Sequence, residues 1–145
     1  MAEFTYAKGR ISESVQFISR EIEEFQKEYA QKTWKDYQED TKLQKLMDRT
    51  VENILTALIE VCGTVLAERG MAAENYSEVL KETAKLLGFS SSEQENLAKL
   101  AIQRNRLVHR YLDFRWQAIK MYQEQQELII TLLERILSLE GGEGK

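Results

Sequence analysis

The chain of 145 residues contains no proline and only seven glycines, three of which (Gly141, Gly142 and Gly144) fall in the last five positions. Proline removes a helical hydrogen bond and glycine carries the largest backbone entropy loss, so their scarcity removes the usual helix breakers. Long stretches are therefore free to stay helical. The apolar residues are spaced to match. Ile11, Val15, Ile18, Ile22, Phe25 and Tyr29 recur every three or four positions, with Ser12, Arg20, Glu21 and Glu24 off that stripe. This spacing predicts a first helix over about residues 10–30. Leu43, Leu46, Met47, Ile54, Leu55, Leu58, Val61, Cys62 and Val65 predict a long second helix after a cap at Thr33 or Asp36, stopped by Gly70.

The remaining elements follow from capping residues. Asn75 with Glu78 predicts a short third helix ending near Gly88, and Ser92 with Glu95 predicts the start of a fourth. A last helix is expected from about Asp113 to Leu139, on the stripe Ile119, Tyr122, Leu128, Ile129, Leu132, Leu133 and Ile136. No alternating pattern of useful length suggests strands. The expected fold is all-α, an antiparallel bundle of four or five helices. It forms a single domain over 10–139, and 140–145 is expected to be a disordered tail.

Composition narrows the function. A net charge of -4 argues against a general polyanion binder, so any nucleic-acid contact must come from a local basic patch. Cys62 is the only cysteine and reads as a small core residue in a reducing, cytoplasmic protein. No run approaches the roughly 18 apolar residues of a membrane span, and no secretion signal is evident. One histidine and one cysteine far apart do not make a metal site, so no metal or other cofactor is expected. The Asp48-Arg49 pair could lie near the helix that carries His109, but it reads rather as part of a surface or interhelical salt bridge.

The chemistry concentrates in Arg104-Asn105-Arg106-Leu107-Val108-His109-Arg110-Tyr111. His109 is the only histidine. Lys99, Arg104, Arg106, Arg110 and Arg115 surround it, and Asp113 is the only acid in that span. On a continuing helix, Leu97, Leu100, Leu107, Val108 and Tyr111 share a face with Arg104 near its middle. A buried arginine there needs a carboxylate partner, a cleft or a subunit interface. Asn105, His109 and Asp113, four apart, share a neighbouring face, where Asp113 could orient His109. If the helix breaks near Tyr111, Asp113 instead caps the last helix. Arg106 and Arg110 fit a solvated face as well as RNA contact. Trp116, Tyr122 and Phe114 read as core or interface. Tyr111 reads as core packing or as a functional hydroxyl.

Arginine, four residues, histidine, one residue, tyrosine resembles the signature of HepT-type toxins in the HEPN superfamily, at Arg104, His109 and Tyr111, with Asn105 also matching. The helices carrying "LQKLMDRTVENILTALIEVCGTVLAERG" and "YSEVLKETAKLLG" stand in that family's order. The resemblance spans about residues 10–135. It implies a homodimeric ribonuclease that cleaves RNA without metal. His109 would act as acid or base and Arg104 would hold the phosphate. It also implies a minimal nucleotidyltransferase antitoxin that silences the toxin by adding AMP to Tyr111. The residue chemistry is compatible. Imidazole exchanges protons near neutrality, and a guanidinium binds a phosphate through two parallel hydrogen bonds. One histidine cannot easily be base and acid together, which is a separate reason to expect a two-fold dimer. A non-catalytic module binding a nucleotide or a protein partner is the alternative.

Overall fold

The computed structural model describes residues 2–143, with side chains described for 10–141. Seven helical segments are present among the described residues: α1 Ala2–Glu28, α2 Trp34–Glu39, α3 Thr41–Glu68, α4 Tyr76–Leu86, α5 Ser91–Ala98, α6 Leu100–Arg106 and α7 Leu112–Glu143. No strand occurs among the described residues. The stripe from Ile11 to Tyr29 is buried, and α1 packs along α3 and against α7. Phe25 of α1 meets Tyr122 of α7 edge to face, with ring centroids 5.0 Å apart, at the centre of the core. The shorter helices α4, α5 and α6 complete the molecule on the side of α3 and α7.

Two breaks raise the number of segments above the expected four or five. The first lies inside the expected second helix. Thr33 closes a capping box with Asp36 and starts α2, but Asp40 is extended (φ -126°, ψ 101°) and ends it. Asp40 then accepts from the Leu43 N–H at 3.0 Å and starts α3. The carbonyls left at the end of α2 are satisfied by Gln44, whose Nε2 donates to Tyr37 O at 2.8 Å. The second break divides the fourth helix at Lys99, between α5 and α6. Its start also differs from expectation: the capping box is Ser90 with Glu93, not Ser92 with Glu95. Asn75 caps α4 by accepting from Glu78 N, while the Glu78 carboxylate accepts from Glu74 N rather than from the cap itself.

Gly70 (φ 67°) and Gly88 (φ 83°) take the left-handed conformation that lets α3 and α4 stop. After Gly88, Phe89 is buried. Arg135 of α7 lies over its ring at 4.0 Å and donates to Leu87 O at 3.1 Å, tying α7 to the end of α4.

The tail expected to be disordered from 140 continues as helix through Gly141 and Gly142 to Glu143. The helical ladder carries on, and Glu140 lies 4.0 Å from Arg69 beyond α3. Gly144 and Lys145 lie outside the described residues. α3 is, by length and mean hydropathy alone, apolar enough to cross a membrane. However, 56% of its most apolar window is buried against the other helices, as suits a core helix.

Candidate functional site

The motif segment does not form one helix. α6 ends at Arg106, the residues from Leu107 to Tyr111 turn, and α7 starts at Leu112. Leu107 remains in the core at 3% exposure and anchors the turn. The next residues swing outward: Val108 is 73% exposed and Tyr111 51%. The helical-face reading therefore holds for Leu97, Leu100 and Leu107, which are buried, and fails for Val108 and Tyr111. The early stop also cancels the four-residue spacing from His109 to Asp113. Asp113 lies instead in the first turn of α7, where a carboxylate faces the positive end of the helix dipole.

The turn has an internal order of its own. His109 N–H donates to Arg106 O at 3.1 Å, and His109 Nδ1 accepts from Tyr111 N–H at 3.3 Å. The imidazole lies 4.8 Å from the Tyr111 ring and 4.8 Å, edge to face, from the Phe114 ring. Tyr111 and Phe114 are also in edge contact at 5.8 Å. Arg110 adds its guanidinium 5.4 Å from the Tyr111 ring centre. Three aromatic rings and one cation thus form an exposed cluster on the turn. Phe114, expected in core or interface, is 38% exposed and belongs to this cluster. Trp116 and Tyr122 pack inward as expected, Tyr122 fully buried and Trp116 stacked with Tyr37 at 5.1 Å.

Arg104 sits on α6, half-buried, and faces α3 and α4. Its Nε donates to Thr56 Oγ1 at 2.8 Å, and its guanidinium carbon lies 5.7 Å from the centre of the Tyr76 ring. No carboxylate pairs with it among the described residues. Arg104 borders a hollow of about 230 Å³ lined also by Thr56, Ile59, Glu60, Gly63, Tyr76 and Val79. An arginine can therefore occupy the apolar side of the helix without a carboxylate partner, because the position opens onto this hollow. No hydrogen bond or ring contact joins Arg104 to His109 among the described residues. Asn105 and Arg106 are exposed, and Asn105 lines a second hollow beside Tyr76.

Arg115, counted with the basic patch on sequence, points inward. Its Nη1 is 2.6 Å from Asp48 Oδ2, and Asp48 Oδ1 accepts from the Tyr37 hydroxyl at 2.6 Å. Burial pushes the Asp48 carboxyl upward, against the pull of the Tyr37 and Arg115 hydrogen bonds. Burial and the Asp48 contact together raise the Tyr37 hydroxyl. Asp48 thus makes an interhelical bridge, but to Arg115 rather than through the adjacent Arg49. The bridge fixes α2 and α3 to the first turns of α7, one residue from Phe114. Thr56 and Tyr76 carry no signal in the sequence. Only the packing of α3 and α4 against α6 brings them to Arg104.

Among the described residues no group of three or more histidine, cysteine or acidic side chains is placed to hold a metal ion. No curated protein matches the chain. A family model described as Ribonuclease HepT-like matches residues 18–138, well over half of the sequence, and that span includes the whole turn and both hollows. The chain belongs to the HepT-like ribonuclease family.

Proposed function

We propose that this protein is the toxin of a HepT-type toxin–antitoxin pair, a cytoplasmic endoribonuclease that cleaves RNA without metal and works as a homodimer. The observation that carries the reading is the exposed imidazole of His109 on a turn held by its own backbone, five residues after an arginine with no carboxylate partner. Arg104 binds the scissile phosphate and stabilises the charge that builds on it. The Thr56 hydroxyl fixes the guanidinium at Nε, which leaves the terminal nitrogens for the phosphate. The ribose 2′ oxygen attacks the phosphorus, its proton leaves to a base, and the departing 5′ oxygen takes a proton from an acid.

His109 supplies the proton transfers. Its Nδ1 accepts from Tyr111 N–H, so the neutral ring carries its proton on Nε2. A base at Nε2 needs the other tautomer, and the long 3.3 Å Tyr111 contact is the bond that change breaks. Two rings in opposite protonation states, one from each subunit, supply base and acid together. Asn105, Arg106 and Arg110 support the RNA strand, and Asp113 lies at the start of the following helix. Tyr111 is the point of restraint by a minimal nucleotidyltransferase antitoxin. An AMP group on its exposed hydroxyl would place bulk and negative charge beside His109 and Arg110 and repel RNA.

The decisive experiment compares the native protein with His109→Ala on a cellular RNA pool in the presence of a chelator. The native protein is expected to cut RNA, and the variant to lose cleavage and toxicity with unchanged helicity. Undiminished cleavage by the variant would remove His109 from the mechanism. RNA binding without cleavage by the native protein would favour the non-catalytic alternative.

A further inference from the structure

Apart from Thr56 and Arg104, the hollow beside Arg104 is built from residues that the reaction above does not use. On α3, Thr56, Ile59, Glu60 and Gly63 stand at spacings of three, four and seven, so they form one stripe facing α4. Val79 and Tyr76 of α4 close the opposite wall, and Arg104 stands at the edge. Tyr76 is 55% exposed. It also lines the second hollow with Asn75, Ser77, Ala101, Ile102 and Asn105. Asn75 spends its Oδ1 on capping α4, which fixes the side chain and leaves its amide N–H groups free to donate.

We propose that this hollow takes a nucleobase of single-stranded RNA, stacked on Tyr76, next to the phosphate held by Arg104. The inference deepens the ribonuclease reading and rests on it. Four features select this occupant. The volume of about 230 Å³ is below the range of pockets for drug-sized ligands and suits a single planar group. The walls combine an aromatic ring with Ile59 and Val79, as a base face requires. Glu60 on the α3 side repels a phosphate but accepts from an exocyclic amine, so the base enters and the phosphate stays at Arg104. The guanidinium and the ring are 5.7 Å apart, within the reach of one nucleotide. Stacking on a ring tolerates every base, whereas Glu60 favours those with an exocyclic amine: adenine, cytosine and guanine over uracil.

Gly63 gives a second handle. A Cβ built there meets nothing within 4 Å, so the hollow reaches the α3 backbone. A large side chain at this position would take up part of that space without replacing Tyr76 or Arg104.

The test uses the full chain in the His109→Ala background, so that RNA is bound and not cut. The probe is a fluorescein-labelled single-stranded oligoribonucleotide of about ten residues, as homopolymers of A, C or U, read by anisotropy. Tyr76→Ala is expected to weaken oligo-A binding on the order of tenfold, the usual scale of losing one aromatic stack, while Tyr76→Phe binds like its parent. Gly63→Leu is expected to weaken binding similarly with an undiminished melting temperature. Oligo-U is expected to bind less tightly than oligo-A or oligo-C. RNA binding that is unaltered by both Tyr76→Ala and Gly63→Leu would overturn the base site and leave the ribonuclease reading standing. A parent that binds none of the three homopolymers, alongside a native protein that cuts no RNA, would overturn both. Dissociation of a dimer by Tyr76→Ala, measured by light scattering, would assign the ring to a subunit contact and overturn the base site.

Discussion

Asp48 shows how one side chain can serve the site without touching it. Its two oxygens accept from Tyr37 and Arg115, and both its partners are shielded from water. Deleting one member of a buried ion pair leaves the other charge unpaired, which costs far more than the pair contributes. Asp48→Ala is therefore expected to lower stability by about 3–5 kcal/mol in urea unfolding, because Arg115 keeps its charge at 18% side-chain exposure. Asp48→Leu combined with Arg115→Met should recover most of that loss. A loss in the double variant equal to the sum of the Asp48→Leu and Arg115→Met losses would mean that the charges are not coupled. In the sequence Asp48 reads as part of a surface or interhelical salt bridge, but nothing there names its partner. The true partner lies 67 residues away, beyond the reach of any local pattern.

At the level of helices, stripes and stops decide differently. The apolar stripes of α1, α3 and α7 are strong, and their burial followed directly from spacing. The stops are weaker signals, since several serines or acids compete for each cap. Ser90 prevails over Ser92 because its Oγ accepts from Glu93 N at 3.2 Å while Glu93 Oε1 accepts from Ser90 N at 2.9 Å. Those bonds hold the Glu93 carboxyl below its ordinary value of 4.5, with Ser90 as the cause. A lowered carboxyl in the folded state adds stability at pH above 4.5 that is lost as pH falls through its folded value. Glu93→Gln is thus expected to destabilise the protein at pH 7 and to flatten its loss of stability below pH 4.5, as followed by circular dichroism. A parallel displacement of the whole pH profile would show that Glu93 does not titrate with folding. The end of α6 at Arg106 was less legible. Helix-favouring residues continue past it, and only the outward turn at Val108 and the ring cluster of His109, Tyr111 and Phe114 stop the helix there.

For the whole molecule, the balance of charge limits how RNA can be held. The net charge is -4, and one arginine of the basic segment, Arg115, is paired inward. Arg104, Arg106 and Arg110 remain for phosphates. Neutralising three phosphates of a single strand predicts a slope of log affinity against log salt of roughly -2, since each contributes about -0.7. Anisotropy titrations of the His109→Ala protein across potassium chloride concentrations would measure it. A slope near zero would exclude phosphate contact by these arginines, and a doubled slope would mean that one strand crosses both subunits of a dimer. Fold class was readable from the sequence, whereas the hollow beside Arg104 was not, because α3 and α4 supply most of its walls. One consequence follows from α7, which carries Tyr122 into contact with Phe25 and fixes the His109 turn through Phe114. α7 follows the turn in the chain, so the turn is synthesised before the scaffold that shapes it. Each new copy therefore spends its synthesis in an unassembled state, and any partner that restrains it has that interval in which to arrive first.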